Sequence, residues 1–407
     1  MKISILMIFL LLFEGTITSI AGSFGYYDEC IILLIIILAL MKVIINRRVV
    51  LKNNEALAIV IAGAFLAIGI ISNESNHILT QKAQYLWSSI QSLKFILAFI
   101  FSKILFEDIK IDYRILEKVY GILNAISMFY VAVIIADIPG KFLTHYEKRF
   151  GFINTVSAGF SSPAELGFLA VCILSIQLFL IILLNKGMRN FIKVCINVFV
   201  MLLFAGRTTA MVYFAGYIAI LSLMMLGKNI NLKQIMALII CGVYLARDRI
   251  ISQMIDSDGA RGLLYRTGVK IANYYFPLGS GFGTYGTDVS RKIYSPLYYT
   301  YGLSKKYGLS PDSPSFITDA HWAAILGETG WIGIALYSVC IILITYVIVK
   351  YSKNCKIKIA VSGVWFYGLI ASMSDTILIA YRGVAIGVLT AYLIRILDSH
   401  NKNIQGG

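Results

Sequence analysis

Long apolar runs separated by short polar loops form the dominant pattern of this chain. Most runs approach the length of about 20 residues that a helix needs to cross the hydrocarbon core of a membrane. We therefore predict an all-α polytopic membrane protein with about twelve transmembrane helices. The predicted spans are residues 3–21, 30–46, 56–72, 86–106, 119–137, 164–184, 191–206, 209–227, 233–247, 320–349, 359–378 and 381–397.

The basic residues of the short loops predict how these helices are oriented. Lys and Arg are concentrated in the loops at 46–55, 107–118, 185–193, 227–233 and 350–358. A count of twelve helices places all of these loops, with both termini, on the side that the positive-inside rule identifies as cytoplasmic. The first run, which follows Lys2, would also fit a signal peptide, but the many later runs favour an uncleaved first helix.

The same count places a long hydrophilic loop, residues 247–320, on the outer side, where we expect it to form much of an active site. Apolar residues recur at helical spacing over 259–275, which predicts an amphipathic helix on the membrane surface that ends before Pro277. A glycine-rich run, PLGSGFGTYG, follows at 277–286 without the Lys-Ser/Thr of a P-loop. Glycines here allow close approach of the backbone to a ligand or another loop, and the three that shape it are Gly279, Gly281 and Gly283.

Composition agrees with one membrane domain over residues 1–407. Hydrophobic residues make up 58% and charged residues 14% of the chain, whereas a soluble domain has about 25% charged residues. The net charge of +15 does not indicate nucleic-acid binding, because no basic helix or binding motif is present. The basic residues around the long loop instead suit an anionic substrate or lipid head group.

Three arginines are candidates for binding a pyrophosphate. Arg207 lies in the sequence FAGRTTA, between two apolar runs. A charge at this position is energetically costly unless the side chain snorkels to the interface or faces water or an anion. A guanidinium recognises phosphate oxygens in a planar, bidentate way. Arg261 and Arg266 lie on the predicted amphipathic helix, but at a spacing of five they need not share a face, and ordinary surface charge is the alternative for both.

Three ionisable residues near the start of the tenth predicted helix are candidates for proton transfer. Asp319 is placed either to cap that helix or, as an alternative to His321, to accept a proton from a substrate hydroxyl. Glu328 follows His321 by seven residues, which puts both on one face about 10 Å apart. A carboxyl as deep as Glu328 requires solvation inside the bundle or a break in the helix.

Several other polar residues carry weaker signals. Lys94 and Glu14 fall inside predicted spans and are functional candidates without an assignable partner. Glu165 is predicted to stabilise a helix start. The pair Asp256 and Asp258 resembles a metal-binding Asp-x-Asp, but Asp258-Gly259 is more typical of a turn. The six cysteines are scattered without metal-ligand spacing, so we predict neither a metal site nor a disulfide framework.

The motifs between residues 200 and 335 resemble those of the O-antigen polymerase and ligase superfamily. The similar features, in order, are FAGRTTA, Ala260-Arg261, PLGSGFG and a polar helix start that leads to GETGWIG. The resemblance implies a bacterial inner-membrane enzyme of the C-type glycosyltransferase class with one large periplasmic loop. The ligases carry a His-Asn pair nine residues before the glutamate that matches Glu328, where this chain has Asp319. That difference favours the polymerase branch, which acts on O-antigen, capsule or exopolysaccharide repeats.

Membership would imply polymerisation of oligosaccharides linked to undecaprenyl pyrophosphate, by inverting transfer and without a metal or other cofactor. Arg207 and Arg261 would neutralise the leaving pyrophosphate, and Asp319 or His321 would take the proton. A chain-length regulator is a candidate partner. The alternatives are a ligase that transfers the glycan to lipid A core or protein, and a flippase. Tyrosines that offer flat faces to sugar rings, or form an interfacial belt, are Tyr285, Tyr294, Tyr298, Tyr299 and Tyr301.

Overall fold

The computed structural model describes residues 2–21, 27–48, 51–79, 81–140, 144–149, 153–225, 259–351 and 355–405. Most of these residues are helical. The helices are α1 Lys2–Leu12, α2 Glu14–Ala21, α3 Tyr27–Asn46, α4 Asn53–Asn76, α5 Lys82–Ser92, α6 Lys94–Leu105, α7 Tyr113–Gly140, α8 Pro163–Leu183, α9 Met188–Ala205, α10 Thr208–Met225, α11 Ala260–Tyr274, α12 Asp288–Lys292, α13 Pro296–Thr300, α14 His321–Lys350, α15 Cys355–Ala371 and α16 Tyr381–Gln405. One antiparallel hairpin, β1 (Thr144–Arg149) and β2 (Ile153–Val156), precedes α8.

The protein is a helical multi-pass membrane protein. Within the described ranges, six helices are long and apolar enough to cross a membrane, and α5 with α6 makes a seventh if that pair, bent by 59°, is one span. Every predicted span except one coincides with a helix or a broken helix. The exception, 233–247, lies outside the described residues, as do Asp256 and Asp258. The count of twelve spans therefore stays a prediction.

The helices at the centre of the bundle differ in burial from those at its edge. In α8 and α16, 89% and 83% of the most apolar window is buried inside the protein. By contrast, α3, α4 and α7 expose many large apolar side chains, as helices in contact with lipid do. The start of α8 is fixed by Glu165, which accepts hydrogen bonds from the backbone N–H and hydroxyl of Ser161 at 3.2 and 2.8 Å. The predicted helix-start role of Glu165 is thus confirmed.

Three of the basic short loops, at 46–55, 107–118 and 185–193, meet at one end of the bundle, where Arg48 pairs with Glu107 at 3.2 Å. Lys42, near the end of α3, pairs with Asp108 after α6 at 2.8 Å. Lys186, between α8 and α9, pairs with Glu117 on α7 at 2.9 Å. These contacts agree with the predicted alternation of basic and less basic loops. The assignment of this end to the cytoplasm stays a prediction.

Lys94, which had no assignable partner in the sequence, lies at the bend between α5 and α6. Its ammonium group is 2.8 Å from the carboxylate of Asp28 and also pairs with Glu29, both at the start of α3. The Lys94 side chain is 3% exposed. Two carboxylates therefore compensate one cation that is removed from water.

We expect Lys94→Met to reduce the amount of folded protein sharply, because it leaves the buried Asp28 and the half-buried Glu29 without a cation. Removing one partner of a buried ion pair costs about 3–5 kcal/mol. The measurement is the yield and thermal midpoint of detergent-extracted protein. Lys82→Met is the matched control, since the Lys82 side chain is 75% exposed. Equal stability of the two variants would contradict the assignment.

Candidate functional site

Helix α11 is the amphipathic helix expected within the long loop, and its buried face packs on α14. The crossing is close at Gly268, where an added Cβ would lie 2.8 Å from the carbonyl oxygen of Ala323. The hydroxyl of Tyr265 donates to the carbonyl of Met373 at 2.9 Å, which ties α11 to the loop between α15 and α16. This packing fixes the start of α11 beside the start of α14.

Arg261, at the start of α11, forms an ion pair with Asp319, two residues before α14. The guanidinium Nη2 donates to Asp319 Oδ2 at 2.8 Å, and the two side chains are 35% and 28% exposed. The expected capping role of Asp319 is wrong, because the N-cap of α14 is Ala320 and no side chain caps it. The bond to Arg261 joins two ionised groups, whereas a cap would join the carboxylate to a neutral backbone N–H, so the ion pair holds the carboxylate.

Arg207 belongs to the same site. It follows Gly206, the left-handed residue that ends α9, and directly precedes α10. Its side chain lies against the N-terminal part of α8, since an added Cβ on Gly167 would be 3.9 Å from Arg207 Cγ. Its charge also acts on the Asp319 carboxyl.

The pKa of Asp319 reports the balance of charges in this site. Burial raises the pKa above its ordinary value, and Arg261 and Arg207 lower it, whereas the negative charge of Asp375 raises it. The structure therefore brings Arg207, Arg261 and Asp319 together, and it adds a residue that the sequence did not point to.

Asp375 lies between α15 and α16 and pairs with Arg382 in the first turn of α16. Two bonds connect the groups: Arg382 Nη1 to Asp375 Oδ2 at 2.9 Å, and Nη2 to Oδ1 at 3.1 Å. The indole of Trp322 donates to Ser372 at 2.9 Å and holds the start of this loop. Asp375 was assigned to the end of a predicted span and passed over. The signal that could have found it is an acid and an arginine seven residues apart across an apolar turn.

Arg266 is placed differently from Arg261. Five residues along an α-helix correspond to a rotation of about 140°, so the two arginines do not lie on one face of α11. Arg266 is partly buried. Its predicted contact with pyrophosphate stays a prediction.

His321 opens α14 but is fully buried. Its Nε2 is 3.0 Å from the hydroxyl of Tyr337, and the rings of Trp322 and Tyr337 pack against it with centroids 5.8 and 5.6 Å away. With an exposed fraction of 0%, the imidazole is closed to a substrate hydroxyl in this conformation. Asp319 is thus the more accessible of the two candidate bases.

Glu328 is also fully buried, and its carboxylate holds the glycine-rich run. Its Oε1 accepts from the backbone N–H of Tyr285 at 3.1 Å and from the hydroxyl of Thr287 at 3.0 Å. The backbone carbonyl of Glu328 accepts from the N–H of Gly281 at 2.8 Å. In this conformation Glu328 positions the loop, and a direct catalytic role stays a prediction.

The glycine-rich run is inserted between α4 and α14. Gly279, Gly281 and Gly283 all have positive φ. A Cβ on Gly279 would lie 2.4 Å from the backbone nitrogen of Gly330, where α14 is interrupted at φ 64° and ψ −166°. On the other side, the Asn73 amide of α4 bonds both backbone groups of Phe282, at 2.7 and 2.9 Å. The glycine-rich run therefore approaches other helices closely, and a side chain at position 279 would displace the backbone of α14.

Replacing Glu328 with alanine is expected to destabilise the protein, because Tyr285 N–H and Thr287 would lose a buried acceptor. An unsatisfied buried group costs about 1–3 kcal/mol. Glu328→Gln retains one oxygen acceptor and should unfold at a temperature between wild type and Glu328→Ala, as measured by thermal unfolding in detergent. A Glu328→Gln protein with unchanged stability but no activity would instead indicate that the carboxylate takes part in the reaction.

The expected sugar-stacking role is wrong for Tyr285 and Tyr298. Both side chains are 0% exposed. Their hydroxyls are used inside the protein: that of Tyr285 donates to the carbonyl of Leu264 at 2.6 Å, and that of Tyr298 accepts from the N–H of Gly286 at 2.9 Å. They form the core of the loop. Among the five tyrosines, Tyr299 is 58% exposed and offers an open ring.

The site as described contains three guanidinium groups and two carboxylates at one end of the bundle. Such a set can hold a phosphorylated anion and accept a proton. Across the described part of the chain, no group of three or more His, Cys, Asp or Glu side chains is arranged to hold a metal ion. Comparison of the sequence with models of known protein families gives no match, and comparison with curated proteins gives none either.

Proposed function

We propose that this protein polymerises oligosaccharide repeat units carried on a polyprenyl diphosphate, at the outer face of a bacterial inner membrane. One observation carries the proposal: Asp319 is paired with Arg261 and lies within the electrostatic reach of Arg207 and Asp375. Arginines gathered around a half-buried carboxylate suit a reaction in which a diphosphate departs and a proton must be accepted.

The reaction would proceed by direct displacement. A sugar hydroxyl of the acceptor forms a bond to the anomeric carbon of the donor, while the bond from that carbon to the diphosphate oxygen breaks. The hydroxyl proton goes to the Asp319 carboxylate, and the electron pair leaves with the diphosphate. Attack opposite the leaving group inverts the anomeric centre. Arg207 and Arg261 stabilise the charge that develops on the leaving oxygens.

Asp319 fits the role of base better than His321, because its side chain is 28% exposed whereas His321 is fully buried. In the structure the carboxylate accepts a hydrogen bond from Arg261. A diphosphate offers more negative charge to the same guanidinium than one carboxylate does. Substrate binding would therefore draw Arg261 away from Asp319 and leave the carboxylate available for the incoming hydroxyl.

Purified protein in detergent micelles, supplied with lipid-linked repeat units, tests the proposal. The expected products are glycans of two or more units on the carrier and one released polyprenyl diphosphate for each glycosidic bond formed. A ligase would release the diphosphate only when lipid A core or a protein acceptor is added. A flippase would produce neither product, since no bond changes in transport. Either result would overturn the assignment as a polymerase.

A further inference from the structure

The long loop has a second apolar core, separate from the core of the helical bundle. Buried side chains of α11 and α13, among them Leu264 and Leu297, form its centre. Three tyrosines pack on this core and stay partly exposed: Tyr275, Tyr294 and Tyr301. These rings are therefore anchored in the loop, and no spanning helix carries them.

Two more exposed tyrosines extend this group. Tyr274 packs edge to face on Tyr275, with ring centroids 4.8 Å apart, and Tyr299 packs edge to face on Tyr294 at 5.0 Å. Burial and the proximity of Tyr275 and Tyr274 raise the pKa of Tyr301, which places its hydroxyl near theirs. Because Tyr299 and Tyr301 are two residues apart at the end of α13, we treat the five rings as one tyrosine surface.

The tyrosine surface is held in place and is open at two rings. The hydroxyl of Tyr294 donates to the carbonyl of Leu309 at 2.8 Å. The indole of Trp331 donates to Asn273 at 2.9 Å, which ties the end of α11 to α14. The side chains of Tyr274 and Tyr299 are 76% and 58% exposed. Exposed apolar surface on a fixed support is typical of an interaction site.

Helix α11 connects the tyrosine surface with the charged site. Arg261 lies in its first turn and Tyr274 is its last residue, so about 20 Å of helix separates them. Just after α11, the carbonyl of Gly279 accepts hydrogen bonds from Ser72 and Asn76 at the end of α4. Since α4 begins beside the basic loop at 46–55, its end and the tyrosine surface lie at the opposite end of the bundle.

We propose that the tyrosine surface binds the glycan of the lipid-linked substrate, several sugar units away from the bond that is formed. The inference rests on the proposed function, because it takes the glycan from that reaction. The flat side of a sugar ring presents C–H groups with a small positive charge, which suit the negative face of an aromatic ring. A chain held there stays near Asp319 between transfers and is lengthened again before it is released.

Calorimetric titration of the full-length protein in phosphatidylcholine nanodiscs tests the surface without any transfer. The probe is surface polysaccharide of the producing cell, freed from its lipid by mild acid. Replacing Tyr274 and Tyr299 together with alanine should weaken its binding by about tenfold. Tyr307→Ala is the matched control, because Tyr307 is 84% exposed in the same loop but packs on Phe316. Equal affinities of the double variant and this control would overturn the proposal.

The length of the products gives a second measurement. In the assay with lipid-linked repeat units, the double variant should make shorter chains than Tyr307→Ala when both have consumed the same amount of substrate. A chain that is not held leaves after fewer transfers. The same distribution of chain lengths in the two variants would contradict a holding role for Tyr274 and Tyr299.

A membrane anchor formed by these rings would behave differently. Tyr274→Trp adds an indole whose fluorescence, taken as the difference from wild type, reports on its surroundings. We expect this fluorescence to change when the free polysaccharide is added and to be insensitive to brominated phosphatidylcholine. Quenching by the brominated lipid without a response to polysaccharide would show an interfacial anchor and overturn the proposal.

The two hypotheses fail in different ways. Polysaccharide binding that depends on Tyr274 and Tyr299, in a protein that never lengthens glycans, would keep the tyrosine surface and remove the polymerase assignment. Lengthening by a protein whose double variant matches Tyr307→Ala in both affinity and chain length would remove the tyrosine surface alone.

Discussion

Alanine at Arg261 or Arg207 is expected to abolish long glycan chains while the protein is still made at normal levels. Loss of one group that stabilises charge in a transition state lowers the rate by about 100- to 1000-fold. The measurement is the ladder of surface polysaccharide on a gel, together with released polyprenyl diphosphate from purified protein. A normal ladder in Arg207→Ala would eliminate the role assigned to that guanidinium.

Lysine is not expected to rescue Arg207. A lysine ammonium carries the charge but lacks the planar fork that bonds two phosphate oxygens at once. Arg291→Ala is the matched control, because Arg291 lies in the same long loop, pairs with Asp288 and has a side chain that is 39% exposed. Loss of activity in Arg291→Ala equal to that in Arg261→Ala would indicate a general effect of charge, not a diphosphate site.

Asp319→Asn should lower the rate of glycan transfer by about 100- to 10,000-fold, the range for loss of a general base. The amide has nearly the same shape but cannot accept the proton. Asp312→Asn is the control, since Asp312 is exposed elsewhere in the loop. If Asp319→Asn transferred glycan at a rate similar to that of Asp312→Asn, His321 would be assigned as the base instead.

The pH dependence of the rate gives an independent test of Asp319. The carboxylate acts deprotonated, so the rate falls as the pH falls through its pKa, which burial raises above the ordinary range. Arg261→Gln removes a charge that lowers this pKa, so the acid limb should move to higher pH. Asp375→Asn removes a charge that raises the pKa, so the limb should move to lower pH. An acid limb that shifts in neither variant, or that shifts in the same direction in both, would contradict the assignment of Asp319 as the base.

Local pattern was sufficient to predict most helices and several site residues. The apolar runs located the helices because a membrane span needs a minimum apolar length, and the helical spacing of Leu263, Leu264 and Ile271 located α11. Arg207 was identified because a charge between apolar runs is costly, and Arg261 because it lies on the predicted amphipathic helix of the long loop. Each of these inferences depends on neighbours in the chain.

Other features depend on residues far apart in sequence. The pairs between Lys94 and Asp28 and between Arg261 and Asp319 join residues separated by 66 and 58 positions. No periodicity encodes such distances, so Asp319 was expected to cap the nearest helix. The burial of His321 follows from packing against Tyr337, which lies 16 residues later in α14 and beyond the interruption at Gly330. Sequence pattern gives the chemical character of a side chain, but packing decides its exposure.

The insertion of the glycine-rich run into the bundle bears on how substrates enter and leave. Phe282 reaches the main core and lies 5.4 Å from the ring of Phe65, on a spanning helix. If the loop moved away from the membrane, the Phe282 ring would have to leave the apolar core. Both hydrogen bonds between the Phe282 backbone and the Asn73 amide would also break. We therefore expect the outer loop to stay in place through successive turnovers. The donor lipid would then enter laterally from the bilayer, and the lengthening glycan would leave past a loop that does not move.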